Sequence, residues 1–307
     1  MSILSKVKKA IKNPKKVVKY FKKKNLRKKN LEDKVFLQKL FKIEMGYDLN
    51  LDNPQTFNEK LQWLKLNDRK PIYTTMVDKY AVKKYVADII GEEYIIPTLG
   101  VWDKFDDIDF DKLPNQFVLK CTHDSGGLVI VKDKSKFDKE LAKKKIQKAL
   151  ETDFYRANRE WPYKNVPRKI IAEELLDLNE NTSEFKMFCS YGKMNWVMVC
   201  KGAGHSDSTR TNDGYDTDFN HLPITFTYKN AEKPMKKPDV WDKLTNIAET
   251  LSKDIPQVRI DTYVLGDKIY FGEITLYHCG GFCTFNPPEW DLKFGEQIDL
   301  SKVKGVE

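Results

Sequence analysis

Asn115–Asp133 reads NQFVLKCTHDSGGLVIVKD. Gln116–Lys120 is apolar and β-prone until it reaches its lysine, Thr122–Gly127 supplies small and polar turn residues, and Leu128–Val131 resumes β character. The pattern predicts strand, glycine loop, strand. A lysine closing one strand, ahead of a loop ending in Gly126-Gly127, suits a phosphate. Glycine lets backbone N–H groups approach phosphate oxygens, and the ammonium adds a point charge. The spacing is not that of a P-loop, since no GK[ST] follows, and no GxGxxG opens a helix. Taken alone, the stretch reads equally well as a plain β-hairpin with an exposed lysine.

A second stretch narrows the choice. Gln257–Thr275, QVRIDTYVLGDKIYFGEIT, predicts two strands joined by a Gly-Asp turn. Asp261 and Glu273 each sit in the middle of an apolar strand. A buried carboxylate is costly unless neutralised, and two on neighbouring strands repel unless a cation lies between them. Oxygen ligands of this kind suit Mg²⁺, which is held by one or two carboxylates together with substrate phosphates. The alternative is that Arg259 and a lysine neutralise the pair.

Outward from these stretches, Leu31–Glu44 and Thr56–Asn67 predict two helices separated by Asp52-Asn53-Pro54, with a capping box at Thr56 and Glu59. Pro71–Ile90 predicts a single helix with Lys79, Lys83 and Lys84 among its apolar residues, stopped by Gly91. Phe137–Thr152 predicts a lysine-rich amphipathic helix, and Arg168–Leu178 a buried strand ending in Glu173-Glu174. Glu184–Cys200 predicts a hairpin turning at Gly192-Lys193, with Lys186 and Phe188 on one face. Residues 203–238, with His205, Arg210, His221 and Asp216 to Asp218, predict a long irregular excursion, a kind of segment usually tied to function. Trp241–Lys253 predicts a helix ended by Pro256.

The 307 residues suffice for one large domain or two modest ones. At 40% hydrophobic and 32% charged, the chain has the balance of a soluble globular protein. No run approaches the roughly 18 apolar residues of a membrane span, and no secretory h-region follows the charged start. Five cysteines, Cys121, Cys189, Cys200, Cys279 and Cys283, form no disulfide framework and fit a reducing cytoplasm.

The net charge of +9 is unevenly placed. Residues 1–30 hold 13 Lys/Arg and no Asp or Glu, leaving 41 basic against 45 acidic groups in the other 277. Ile3, Leu4, Val7 and Ile11, then Val17, Val18 and Phe21, recur at helical spacing, with Asn13-Pro14 restarting the helix. A narrow apolar stripe beneath a lysine face suits an anionic membrane surface, at about 1 kcal/mol per lysine near the headgroups. A solvated tail is the alternative. Nucleic acid is a third reading of this segment, with only Tyr20 and Phe21 as a stacking platform; binding by the whole surface is not implied, because the body carries no basic excess.

The phrases FNEKLQWLKLNDR, VDKYAVKKYV, FVLKCTHDSGG, EFKMFCSYGK and RIDTYVLGDKIYFGEITLYHCGG, spread from Phe57 to Phe285, together resemble the ATP-grasp superfamily, in its TupA-like branch found with bacterial surface-polysaccharide genes. The resemblance implies an α+β ATP-grasp fold, two α+β lobes gripping ATP. The expected organisation is a basic extension over 1–30, a helical region over 31–115, a small lid lobe over 116–176 and a large lobe with the metal site over 177–307. It implies that Lys79 and Lys120 hold the ATP phosphates under a lid at Ser125, Gly126 and Gly127. It makes Glu173, Glu174, Leu175 and Leu176 the adenine hinge, Glu184 the ribose ligand, and Lys186 a phosphate or substrate ligand. Asp261 and Glu273 bind Mg²⁺ by the same resemblance; many family members end this strand Glu-x-Asn, and Thr275 stands here at the Asn position. Arg210 and Arg259 are the implied stabilisers of an acyl phosphate or of the transferring phosphoryl group.

The implied activity is an ATP-dependent carboxylate–amine ligase that forms an amide through an acyl phosphate. Its expected substrates are a uronic acid of a surface polysaccharide and an amine, on the inner face of the membrane. Three other readings stay open: a glycosyltransferase using Asp216-Thr217-Asp218 as a DxD metal site, an ATP-grasp sugar kinase, and a non-catalytic scaffold anchored by residues 1–30. His278, Cys279 and Cys283 invite a zinc reading, set against a Gly280-Gly281 substrate loop.

Overall fold

The computed structural model describes residues 14–178, 182–202 and 210–304. It contains two antiparallel sheets with helices packed around them, the α+β arrangement the sequence implied. The first sheet holds β1 (Thr98–Trp102), β2 (Phe117–Cys121), β3 (Leu128–Val131) and β4 (Ile170–Glu174) in the order β1-β4-β2-β3. The second holds β5 (Ser183–Ser190), β6 (Lys193–Lys201), β7 (Thr211–Tyr215), β8 (Val258–Leu265) and β9 (Lys268–Thr275) in the order β7-β6-β5-β8-β9.

The central stretch folds as strand, loop, strand, with Phe117 opposite Val131 and Lys120 opposite Leu128. Phe117, Leu119 and Cys121 form a core with Ile170, Ala172 and the buried face of the Lys139–Leu150 helix, namely Ala142, Ile146 and Ala149. β1 was expected outside this unit, which was drawn to begin at 116. It joins because Val101 and Trp102 pair with Ile171 and Ile170 of β4.

The second sheet carries the larger core. Trp196 is stacked on Phe188 at 3.7 Å and on Phe294 at 4.1 Å. Trp241, Leu244, Ile247, Ala248 and Leu251 of the Trp241–Leu251 helix bury one face of that helix in the same core. So do Phe57, Leu61, Tyr73, Met76, Val82 and Val86. The expected helical region over 31–115 is therefore not a separate body: its helices from Phe57 to Ile90 belong to the core of the second sheet.

Local chemistry explains where elements start and break. Thr56 Oγ1 accepts from the Glu59 amide at 3.2 Å, and Glu59 Oε2 accepts from the Thr56 amide at 3.1 Å, the reciprocal capping box that the sequence predicted. The single helix expected over Pro71–Ile90 is two, Ile72–Val77 and Ala81–Ile90. Asp78 divides them: its Oδ1 accepts from the amides of Tyr80 at 2.8 Å and Ala81 at 3.2 Å, offering the backbone a cap in place of a continued helix. Lys79 lies in that break, and its amide donates to Thr122 O at 3.1 Å. The β5–β6 turn falls at Tyr191-Gly192, one residue before the expected Gly192-Lys193. Both residues have positive φ, 49° and 77°, as a two-residue hairpin turn requires.

Within the expected excursion, Thr211–Tyr215 pairs with β6 as a strand. Asp213 ties the following loop down, accepting from the Ala231 amide at 3.1 Å and meeting His221 Nε2 at 3.0 Å. Ile3, Leu4, Val7, Ile11, Asn13 and His205 lie outside the described residues. The Pro14–Arg27 helix docks on the Asp33–Met45 helix through buried Leu26 and through Lys19 and Lys23, which reach Glu44 at 2.7 and 2.5 Å. Val18, Tyr20 and Phe21 stay more than half exposed. Among the described residues no helix is long and apolar enough to cross a membrane.

Gly127 is a packing glycine. A Cβ there would lie 2.6 Å from Cys121 Sγ and 2.7 Å from Ala149 Cβ, whereas one on Gly126 would meet nothing nearer than 3.6 Å. Gly127→Ala should therefore destabilise by about 1–3 kcal/mol through overpacking, and Gly126→Ala should change stability by about 0.5 kcal/mol or less. Urea unfolding of both variants checks this; equal effects would refute the packing argument.

Candidate active site

The two sheets face each other across a cleft of about 220 Å³. The first sheet and its loop contribute Lys120, Asp124, Ser125, Gly127, Leu128 and Glu173 to its wall. The helical side contributes Lys79, Val82, Lys83, Ile95 and Ile96. The second sheet contributes Glu184, Asp261, Tyr263, Phe271, Gly272 and Glu273. Lys120 from the glycine-loop hairpin thus shares a cleft with Asp261 and Glu273 from the late hairpin.

One wall is built on lysines. Glu173 Oε1 pairs with Lys83 Nζ at 2.5 Å, Glu173 Oε2 pairs with Lys120 Nζ, and Lys83 also donates to Ile96 O at 2.6 Å. Burial opposes ionisation of Glu173, yet Lys120 and Lys83 outweigh it and hold the carboxyl below its usual range. Burial also lowers the pKa of Lys83 and of Lys79. The Lys79 ammonium donates to Asp124 O, and Asp124 Oδ2 accepts from the Gly127 amide at 2.7 Å. Asp124 therefore closes the loop on itself, and the Gly127 N–H, expected to face a phosphate, is already engaged.

The opposite wall is built on carboxylates. Asp261 and Glu273 are paired across β8 and β9, and a bulge follows at once. Gly272 sits at that bulge; a Cβ on it would lie 3.1 Å from Asp261 O and 3.3 Å from the Tyr263 ring. Arg259 lies between the two carboxylates. Its Nε donates to Asp261 Oδ1 at 2.6 Å, and its NH2 donates to Asp261 Oδ2 and Glu273 Oε1, each at 2.7 Å. Lys186 adds bonds to Asp261 Oδ2 at 2.6 Å and Glu184 Oε1 at 2.5 Å. Burial raises the Asp261 pKa, but Arg259 and Lys186 overcome that and set it below the ordinary range. The repulsion foreseen in the sequence is relieved by this guanidinium and this ammonium.

Residues 59–299 match the sequence profile of TupA-like ATP-grasp proteins. The chain belongs to that family. It is an ATP-grasp enzyme by descent. A comparison with curated proteins finds no match in sequence. Among solved structures, the L-amino acid ligase from Bacillus licheniformis overlaps at TM-score 0.48 and 13% identity, over 90% of this chain and 63% of that one. D-Alanine-D-alanine ligase from Helicobacter pylori gives 0.44 and 15%, over 80% and 70%. The D-alanine-D-alanine ligase from Bacillus anthracis complexed with ATP gives 0.38 and 17%, over 66% and 54%. This chain spans 54% to 70% of the lengths of those three. The overlaps are partial, and the assignment rests on the sequence match.

Several residues implied by the ATP-grasp resemblance do not line the cleft. Glu174 is exposed, Leu175 and Leu176 are half-buried beyond it, and Gly126 is exposed on the loop. Glu173, assigned to an adenine hinge, turns its carboxylate to two lysines. Arg259 and Lys186 stand behind Asp261. Arg210 stacks over the Tyr228 ring at 5.0 Å, away from the lining. Thr275 reaches the site through Glu273, donating to its Oε1 at 2.8 Å. Sequence reasoning missed Lys83, Asp124 and the apolar strip of Val82, Ile95, Ile96, Tyr263 and Phe271. A signal was present for two of them: Lys83 is four residues from Lys79, one turn of the helix expected there, and Tyr263 is two residues from Asp261, hence on the same strand face; the bulge at Gly272 breaks that alternation for Phe271.

The donor set fits a hard divalent ion. The Glu273 side chain is 46% exposed and lies beside Asp261 and the lysine wall, while both oxygens of buried Asp261 already accept from Arg259 and Lys186. Asp261 and Glu273, with Thr275 behind, are the residues that would hold Mg²⁺.

The Glu173 pKa is lowered in the fold, so its stabilisation is complete above the unfolded value near 4.3 and is lost as pH falls through the lower folded value. Glu173→Gln should cost about 2–3 kcal/mol at neutral pH by stranding Lys83 and Lys120. The gap from the parent should narrow as pH falls below the unfolded value and through the lower folded one. Denaturation at several pH values tests this; a gap independent of pH would refute it.

Proposed function

We propose that this protein is an ATP-dependent carboxylate–amine ligase. The observation that carries the reading is the shared cleft: Lys79, Lys83 and Lys120 on one wall, Asp261 and Glu273 on the other. A lysine wall facing a carboxylate wall suits a triphosphate with its metal. The apolar strip from Val82 to Phe271 suits a purine face. Desolvation of Lys79 and Lys83 strengthens their attraction for phosphate oxygens, because charges interact more strongly away from water.

In this reading the lysines fix the β- and γ-phosphates in line with an incoming carboxylate. Mg²⁺ on Asp261 and Glu273 supplies neutralisation of the phosphate charge when bound. The substrate carboxylate attacks the γ-phosphorus; a P–O bond forms, the β–γ bridge breaks and ADP leaves. The amine nitrogen then attacks the acyl carbon; a C–N bond forms, the C–O bond to phosphate breaks, and the released phosphate takes the amine proton. Arg259 and Lys186 act as positioning residues, holding Asp261 in one orientation. Arg210, away from the lining, has no role in this scheme.

The substrates proposed are a uronic acid of a bacterial surface polysaccharide and an amino compound. The TupA-like family supports that setting. The exposed Val18, Tyr20 and Phe21 on a lysine-rich helix support a peripheral position on an anionic membrane, where lipid-borne glycans lie. A glycosyltransferase is less well supported. Asp216 Oδ1 accepts from the amides of Asp218 at 3.0 Å and Asn220 at 2.8 Å, so the DxD-like segment is a self-bonded turn.

ADP release from purified protein, screened with uronic-acid glycans and pooled amines, should require both acid and amine. Release with a sugar alone would make the enzyme a kinase. Lys120→Ala should weaken ATP binding by about 100-fold, the loss of a charge-assisted contact of ~3 kcal/mol; unchanged binding would overturn the ATP site. Lys22→Glu with Lys24→Glu should reduce binding to anionic vesicles by about tenfold or more and leave turnover in solution intact, at ~1 kcal/mol per lysine. Unaltered vesicle binding would remove the membrane partner.

A further inference from the structure

Beyond Arg259 the chain carries a group of side chains that the ligase reading leaves unused. Arg259 NH1 donates to His278 Nδ1 at 2.5 Å. Arginine has no acceptor, so Nδ1 must carry the lone pair and Nε2 the proton. His278 Nε2 lies 3.6 Å from Cys279 Sγ. Cys283 is buried, its sulfur within 3.5 Å of His278 O, while Cys279 is exposed. The ligand atoms of His278, Cys279 and Cys283 all lie within 4.8 Å of one another.

This arrangement gathers the three zinc candidates of the sequence but disfavours zinc. A metal on Nε2 needs the lone pair there and the proton on Nδ1, where the guanidinium already donates. The same hydrogen bonds suit a thiolate. The Cys283 thiol, together with the nearby His278 and Arg259, draws the Cys279 pKa well below its usual range. Burial raises that of Cys283, which stays a thiol. One cysteine is exposed and drawn toward the thiolate, its neighbour buried and held toward the thiol. Cys279, Gly280 and Gly281 follow each other at φ of 52°, 63° and 70°, a left-handed turn that curls one sulfur toward the other.

We infer that Cys279 and Cys283 are an oxidisable dithiol that responds to hydroperoxides and acts on the Arg259 clamp through His278. The Cys279 thiolate attacks the peroxide; an S–O bond forms, the O–O bond breaks and hydroxide or alkoxide leaves, taking a proton from water. Cys283 sulfur, giving up its proton, then attacks Cys279 sulfur; the S–S bond forms and the S–O bond breaks, releasing water. The peroxide is reduced by the two electrons that the thiols lose. A disulfide needs its sulfurs at about 2.05 Å, so the turn must tighten. That turn is anchored by Gly280 O, which accepts from Lys65 Nζ at 2.7 Å, and by Gly281 O, which accepts from Gln62 Nε2 at 2.7 Å. The tightened turn moves His278, and its hold on Arg259 shifts.

The cross-link stands on this geometry alone; its effect on turnover rests on the ATP-site reading. The full chain is treated with hydrogen peroxide and mapped by mass spectrometry, with Cys121, Cys189 and Cys200 as buried controls in the same molecule. The expected result is loss of two hydrogens, a Cys279–Cys283 cross-link, and faster alkylation of Cys279 than of any control. Cys283→Ser should instead accumulate sulfenic acid on Cys279, trapped by a dione probe. ATP turnover should fall by about tenfold, within the up to ~100-fold cost of an ångström-scale misplacement, and return with reductant. Cys279→Ser should keep its turnover and ignore peroxide. Two outcomes overturn the inference: Cys279 reacting no faster than the buried controls, or stoichiometric zinc on the untreated protein shielding both thiols. A cross-link without loss of turnover overturns the coupling to Arg259 and leaves the ligase reading standing.

Discussion

Arg259 is the constraint on which the site depends. Two strands of one hairpin bring Asp261 and Glu273 side by side, and Asp261 is almost fully buried. An isolated buried carboxylate costs several kcal/mol in effective terms, and a second one beside it would push the first toward protonation. The guanidinium resolves this with a planar fork whose Nε and NH2 match one carboxylate, while NH2 also reaches the other. A lysine at position 259 could hold one oxygen pair but not the geometry. The pairing keeps Asp261 ionised, the form in which it can serve a divalent cation.

The same economy governs the lysine wall. Glu173 sits between Lys83 and Lys120, so that neither ammonium is buried without a counter-charge. Three lysines converging on one cleft would repel each other in its low-dielectric interior, and a single carboxylate relieves two of them. Each wall thus carries its own internal compensation, arginine among acids and glutamate among lysines.

The elements legible in the sequence were those governed by local rules. The strand–loop–strand around Lys120, the Asp261–Glu273 hairpin and the Thr56–Glu59 box follow from period-two alternation, a Gly-Asp turn and a capping pair. What was not legible depended on choices between competing local bonds. Asp78 caps instead of continuing a helix, which frees Lys79 from the helical face and directs it at the loop. The stretch Gly91–Phe105 reads as a short strand and turn, but nothing local says that the strand, β1, pairs with β4. The role of Gly127 is a matter of the space left by Cys121 and Ala149, which no one-dimensional pattern records. Glu173 has the right residue type in the right strand, but its partner Lys83 arrives from a helix far away in the chain.

That last contact has a mechanical side. Lys83 rides on a helix packed into the core of the second sheet, whereas Glu173 and Lys120 belong to the first. The Lys83–Glu173 bond is therefore a stitch across the seam between the lobes, reinforced by the Lys79 amide on Thr122 O. An anion that draws Lys83 away from Glu173 competes with that stitch for the same charge. The charge that the cleft offers an anion is thus the same charge that ties the two sheets together.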